Sequence, residues 1–242
     1  MKFRSVAPRS EPKPGPPPPP ERSQSFLVLF FKKEQTSLYR RSVLTGAAAL
    51  ASCSVLPERP YQERREWPLE VRRPTAVDTI VAHRPVLLVR GLRAGPGLDS
   101  RGLRTRLADG AEHLDYWEEW AVPPPQGVED CLRQWLAASG LFSAVVMPGS
   151  EVTPDLVLQG ELVAFVVDLA AGTARAELAL VLLRQQSSGT RVPILQRSFT
   201  GTAPLAGRDG PAEAAALQAA LAALLQQVEA ALAPYTRTMR PA

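Results

Sequence analysis

Cysteine and histidine are scarce in this chain, and lysine stops early. Only two cysteines, Cys53 and Cys131, occur in 242 residues, so at most one disulfide is available and the fold has to rest on its hydrophobic core. The only histidines are His83 and His113, and neither a G-x-S-x-G nor an H-E-x-x-H sequence is present. No lysine follows Lys33, which excludes a G-x-x-x-x-G-K phosphate loop from the rest of the chain. Without a triad, a phosphate loop or ligand spacing, the chain reads as a protein that is not an enzyme and carries no metal site. Glu112, Asp115 and Glu118 form at most a loose acidic group on a hairpin edge.

The formal charge of +4 invites a nucleic-acid reading, but its distribution removes it. Nine of the 28 basic residues and only three of the 24 acidic ones lie in residues 1–52, leaving 19 cations against 21 anions beyond. No nucleic acid is therefore expected as a partner.

What is there is a leader. Arg40-Arg41 is followed by an apolar run of about a dozen residues and then by Leu50-Ala51-Ser52-Cys53. The run fits a signal sequence and is shorter than the roughly 20 residues of a membrane-spanning helix. Its last four residues resemble a lipobox, with cleavage between Ser52 and Cys53 and a diacylglyceryl and an N-acyl group on Cys53. No other cofactor is implied. Two or three acyl chains hold a protein stably at a bilayer, where one chain does not. An ordinary secretory signal with a nearby cysteine, or a buried alanine-rich helix, is the alternative. Pro57 and Pro60 would end any such helix.

The residues ahead of this signal are unusual. A proline run, Pro16 to Pro20, and an apolar stretch from Phe26 to Phe31 make residues 1–37 either a long leader or the product of a start site placed too early, with translation beginning near Leu38. Arg40-Arg41 also partly resembles a twin-arginine signal, so the export route stays open. The organisation is thus a leader over 1–52, with the signal itself in 38–52, a lipidated tether over 53–80, a folded domain over 81–236 and a tail over 237–242. Trp67 and Leu69 in the tether either dock on the domain or sit among lipid headgroups.

Within the domain, apolar period decides the elements. Pro85–Gly91, with a proline at its start, reads as a buried strand. Leu103–Leu107 and Glu112–Trp120 flank Asp109-Gly110 as a hairpin. Val128, Cys131, Leu132, Trp135, Leu136 and Ser139 recur at helical spacing, and Leu141–Met147 returns as a strand. Leu156–Val167, Ala174–Leu183 and Val192–Thr202 read as a meander, followed by a helix from Pro211 to Leu232. The fold class is α+β: an antiparallel or mixed sheet with two amphipathic helices on one face, in the order strands, helix, strands, helix.

Four blocks carry a resemblance. Gly97–Arg101, Tyr116–Pro124, Ser139–Phe142 and Asp155–Leu158, in that order behind a lipobox, are similar to successive blocks of the ABC-type transport auxiliary lipoprotein family. The resemblance implies an outer-membrane lipoprotein component of a transporter built on an inner-membrane ABC pair and a periplasmic MCE-domain lipid-binding protein. It implies as partners the outer-membrane bilayer, through the anchor, and the MCE-domain protein. Ser54 after the modified cysteine agrees with the outer membrane, facing the periplasm. A lipoprotein that regulates a cell-wall synthase or another outer-membrane assembly is the alternative.

One face of the meander is too apolar for solvent. Strict alternation along Leu156–Val167 places Val163, Phe165 and Val167 opposite the helix-facing residues, and Val181 and Leu183 repeat the pattern on the next strand. These five residues are the expected partner interface, with another copy in a homo-oligomer or with a docking segment. Cover by the tether is the alternative. The anchor has a direct test: Cys53→Ala protein should incorporate no labelled fatty acid, and any label it retains would refute the assignment.

Overall fold

The computed structural model describes residues 61–75 and 84–236. The leader, Ser52, Cys53 and the tail over 237–242 lie outside the described residues. In chain order the elements are β1 (Arg65–Trp67), β2 (Val86–Ala94), β3 (Gly102–Arg106), β4 (Glu112–Trp120), α1 (Pro124–Ala138), β5 (Ala144–Val146), β6 (Leu156–Asp168), β7 (Thr173–Gln185), β8 (Arg191–Pro204) and α2 (Gly210–Thr236). The class is α+β with one mixed sheet of eight strands. The run after α1 forms a strand only over its last half, three residues long.

β6 organises the sheet. β7 pairs antiparallel along its whole length, and β8 continues antiparallel beyond β7. The other edge of β6 is shared: β2 lies parallel along Leu156–Leu162, and β3 then joins parallel at Val167–Asp168. β4 and β1 extend the sheet from β3, and β5 extends it from β2. A strand bonded on both edges is central to its sheet, and Leu156–Val167 is apolar on its core-facing side while Gln159 and Glu161 stand on the other.

Between the two neighbours on that edge, β6 carries one extra residue. Leu162 pairs with Leu178 and Ala164 with Glu177, leaving Val163 unpaired in a bulge. A one-residue insertion reverses the side on which every later residue stands. Leu156, Leu158 and Leu162 face the core before the bulge; Phe165 and Val167 face it afterwards, at 2% and 0% exposure. This corrects the alternation read from sequence, which put Phe165 and Val167 on the outer face and Ala164 and Val166 inside. The Phe165 ring instead packs 5.5 Å from the buried Trp120 ring.

α1 begins where the strand before it must stop. Pro123 has φ −53° and ψ 136°, and Pro124 and Pro125 occupy the first turn, where the missing N–H groups would have had no helical partner. Val128, Cys131, Leu132, Trp135 and Leu136 are buried. α2 is 27 residues long and, by length and composition alone, apolar enough to cross a membrane. Leu217, Leu221, Leu224, Leu225, Val228 and Leu232 are nevertheless filled by the same core as the strands. The helix lies directly on β8: a Cβ at Gly201 would collide with the Ala220 carbonyl and stand 2.6 Å from the Leu224 nitrogen.

The fold starts before residue 81, which corrects the expected boundary. β1 pairs parallel with β4, and Leu69 and Val71 are buried in the core. The Cys131 thiol donates to the Leu69 carbonyl at 3.4 Å. Arg73 then donates from Nε to Glu229 at 3.0 Å, and Trp135 Nε1 donates to the same carboxylate at 2.7 Å. The segment 61–75 therefore runs along β4 and over the helices.

At the start of α2, Asp209 accepts from the Ala212 amide at 3.1 Å, and Thr105 Oγ1 donates to Glu213 at 3.2 Å. Burial pushes the Glu213 carboxyl up, opposed by the Thr105 bond. A carboxyl raised in the fold favours the folded state fully only while protonated, so its contribution fades as pH rises through the raised value. Glu213→Gln should accordingly match the parent below about pH 4 and become more stable than it towards neutrality. Denaturant midpoints across that range check the sign. Trp120→Ala and Phe165→Ala should each cost roughly 3–5 kcal/mol, and a midpoint like the parent's for either would place that residue outside the core.

Candidate interaction surface

Buried residues of both helices share one core with Leu87 and Val89 of β2, Leu156, Leu158 and Leu162 of β6 and Leu178, Leu180 and Leu182 of β7, so the other face of these three strands is what remains for contact. At its centre is a shallow open concavity of about 570 Å³, lined by Arg90, Arg93, Gln159, Glu161, Ala179 and Val181. Gln159 is the cross-strand partner of Val181, Glu161 of Ala179, and Arg93 of Glu161. Arg90 and Arg93 are exposed and form no ion pair with a described residue. The floor is mixed: Ala179 and Val181 are apolar, Gln159 and Glu161 are polar, and the two arginines stand on one side.

Of the five residues expected at an interface, the structure keeps three on this side. Val181 and Leu183 are half-buried on β7, with Leu183 opposite Val157, and Val163 is 41% exposed at the bulge. Phe165 and Val167 belong to the core. The described part of the tether, occupied with β4 and the helices, does not cover this face.

The loose acidic group is dispersed. Glu112 accepts from Arg104 at 2.7 Å and from Arg106 at 3.1 Å, and these two guanidinium groups hold its carboxyl below the usual range. Asp115 Oδ1 accepts the amides of Trp117 and Glu118 at 2.6 and 3.0 Å, and Glu118 accepts from Trp67 Nε1 at 2.7 Å. Among the described residues no three His, Cys, Asp or Glu side chains are grouped to hold a metal ion. Burial pushes the Cys131 thiol up, away from the thiolate that nucleophilic or redox chemistry requires.

Reading by period missed what Asp115 does to β4. Gly102 pairs with Glu119 and Arg104 with Leu114, so Leu103 alone stands opposite residues 115–118. The strand therefore bulges away from β3 between Leu114 and Glu119, while Glu118 stays paired with Arg65 of β1. A Cβ at Gly102 would collide with the Asp115 carbonyl, so the excursion sits tightly over β3. Its outward residues are Tyr116 and Trp117, in an edge-to-face pair with centroids 5.0 Å apart. The available signal was an aspartate two and three residues ahead of the amides it caps.

The family model for the ABC-type transport auxiliary lipoprotein component matches residues 68–229, well over half the chain. The chain belongs to that family. No curated protein matches this auxiliary lipoprotein. Among solved structures it is similar to protein XCC0632 from Xanthomonas campestris, described under DUF330, with a TM-score of 0.60 and 24% identity over 72% of this chain and 97% of that one. A second, described as an uncharacterized protein, has a TM-score of 0.53 and 16% identity over 72% of this chain and 98% of the other. At these identities the likeness speaks for the fold. The match beginning at residue 68 agrees with a fold that starts ahead of residue 81.

Proposed function

We propose that this auxiliary lipoprotein is a non-catalytic docking component of an ABC transport system with an MCE-domain partner, moving lipid between the inner and outer membranes. It is held on the periplasmic face of the outer membrane by acyl chains on Cys53. Family membership supports the transport role, and the leader sequence supports the anchor. The observation that carries the docking role is the outer sheet face, where Val181 lines the concavity, Leu183 lies two residues further along β7 and Val163 stands exposed at the bulge, beside Arg90 and Arg93, which form no ion pair with a described residue. A half-solvated sheet face normally alternates polar and apolar residues, and apolar side chains beyond that alternation suit a contact. The occupant is a docking segment of the partner or a second copy of the chain.

Val181→Asp and Leu183→Asp test this. Both residues keep part of their surface in solvent, so the substitutions should leave a folded protein, while an apolar contact there would have to bury an unpaired charge. Affinity purification from detergent-solubilised envelopes should recover an MCE-domain protein with the parent and lose it with either variant. Recovery of a cell-wall synthase instead, or undiminished recovery with both variants, would overturn the assignment.

A further inference from the structure

The excursion in β4 is a second unpartnered surface, far in chemistry from the concavity. Tyr116 is 65% exposed, Leu114 41% and Trp117 38%. The Arg64 guanidinium lies 4.3 Å from the centroid of the Tyr116 ring, and Tyr61, three residues earlier, is 91% exposed. Two aromatic side chains with polar tips, an aliphatic neighbour and a guanidinium on a short projecting segment make an amphipathic tip. Trp and Tyr of this kind collect at membrane–water interfaces, where the ring is withdrawn from water and its N–H or O–H stays hydrated.

The length of chain ahead of the fold selects the occupant. Cys53 and Tyr61 are eight residues apart, which spans at most roughly 26–29 Å fully extended. A compact domain of this size has a radius of gyration of about 15 Å and so measures about 40 Å across. A protein acylated at Cys53 thus cannot present its far side to its own bilayer; only the surface around Tyr61 comes within reach. The Arg64–Tyr116 contact places the β4 excursion on that surface. The nearby charges are mixed, with Arg64 and Arg101 bonded to Glu119 and Arg65 to Glu118, so attraction to anionic headgroups is not what draws it there.

We infer that Tyr116 and Trp117, with Leu114 and Tyr61 beside them, are a membrane-contact site that seats the domain in the interfacial layer of the bilayer carrying its anchor. This rests on the reading that Cys53 is acylated. It also orients the domain: the excursion meets lipid, while the outer face of β2, β6 and β7 stays open to a protein partner.

The test uses the mature protein as isolated from envelopes, reconstituted in phosphatidylcholine vesicles with or without brominated acyl chains. Trp120 and Trp135 are buried and Trp67 is half-buried, so bromine at the interface should quench chiefly Trp117. The parent should float with the vesicles and lose part of its emission to brominated lipid. Trp117→Phe keeps an apolar ring, and should float equally while losing that quenched fraction. Flotation without quenching, or quenching that Trp117→Phe leaves intact, would overturn the inference while leaving the anchor standing. A second copy crosslinked through Trp117 without quenching would do the same. Failure of the parent to float would overturn the acylation reading, and the membrane contact with it.

Discussion

The fold depends on one strand meeting two neighbours in succession along one edge. β6 holds β2 over its first half and β3 at its end, and Val163 is the residue that absorbs the change. Without the bulge, Phe165 and Val167 would leave the core and the Trp120 ring would lose its partner. With it, one continuous strand supplies apolar side chains to the same core on both sides of the kink. The cost is a single unpaired residue exposed on the outer face. That exposure is part of what makes the face suitable for contact.

This arrangement separates the tasks of the two faces. The helix side is closed by long side chains and by the approach of α2 to Gly201, and Glu229 there accepts from both Arg73 and Trp135. The opposite side is shallow, half apolar and bordered by arginines without carboxylate partners among the described residues.

Most elements were legible because periodicity reports which side of a regular element is buried. The α1 stripe, the Asp109-Gly110 hairpin and the α2 leucines could be placed from spacing alone, and so could Val181 and Leu183, since β7 alternates regularly up to them. Periodicity fails where the backbone departs from regularity. Leu162-Val163-Ala164-Phe165 is as apolar after the bulge as before it, so nothing in composition marks the reversal. Asp115 likewise looks like one more polar strand residue until its carboxylate is seen to cap two amides. The Leu69 and Val71 contacts were obscured by the charged and proline-rich residues around them, which read as a linker although two apolar side chains suffice to fasten it.

That fastening determines how mechanical load enters the molecule. Tension on the chain ahead of Tyr61 reaches the domain first through three residue pairs between two parallel strands. It then meets two side chains wedged beneath α1, and finally the Arg73 bond to Glu229, 156 residues away in the chain. A pull at the front of the domain is therefore resisted by its last helix. Strands pulled along their own axis must shear their bonds together rather than open them one at a time, so a connection of few residues can withstand a strain that its length would not suggest.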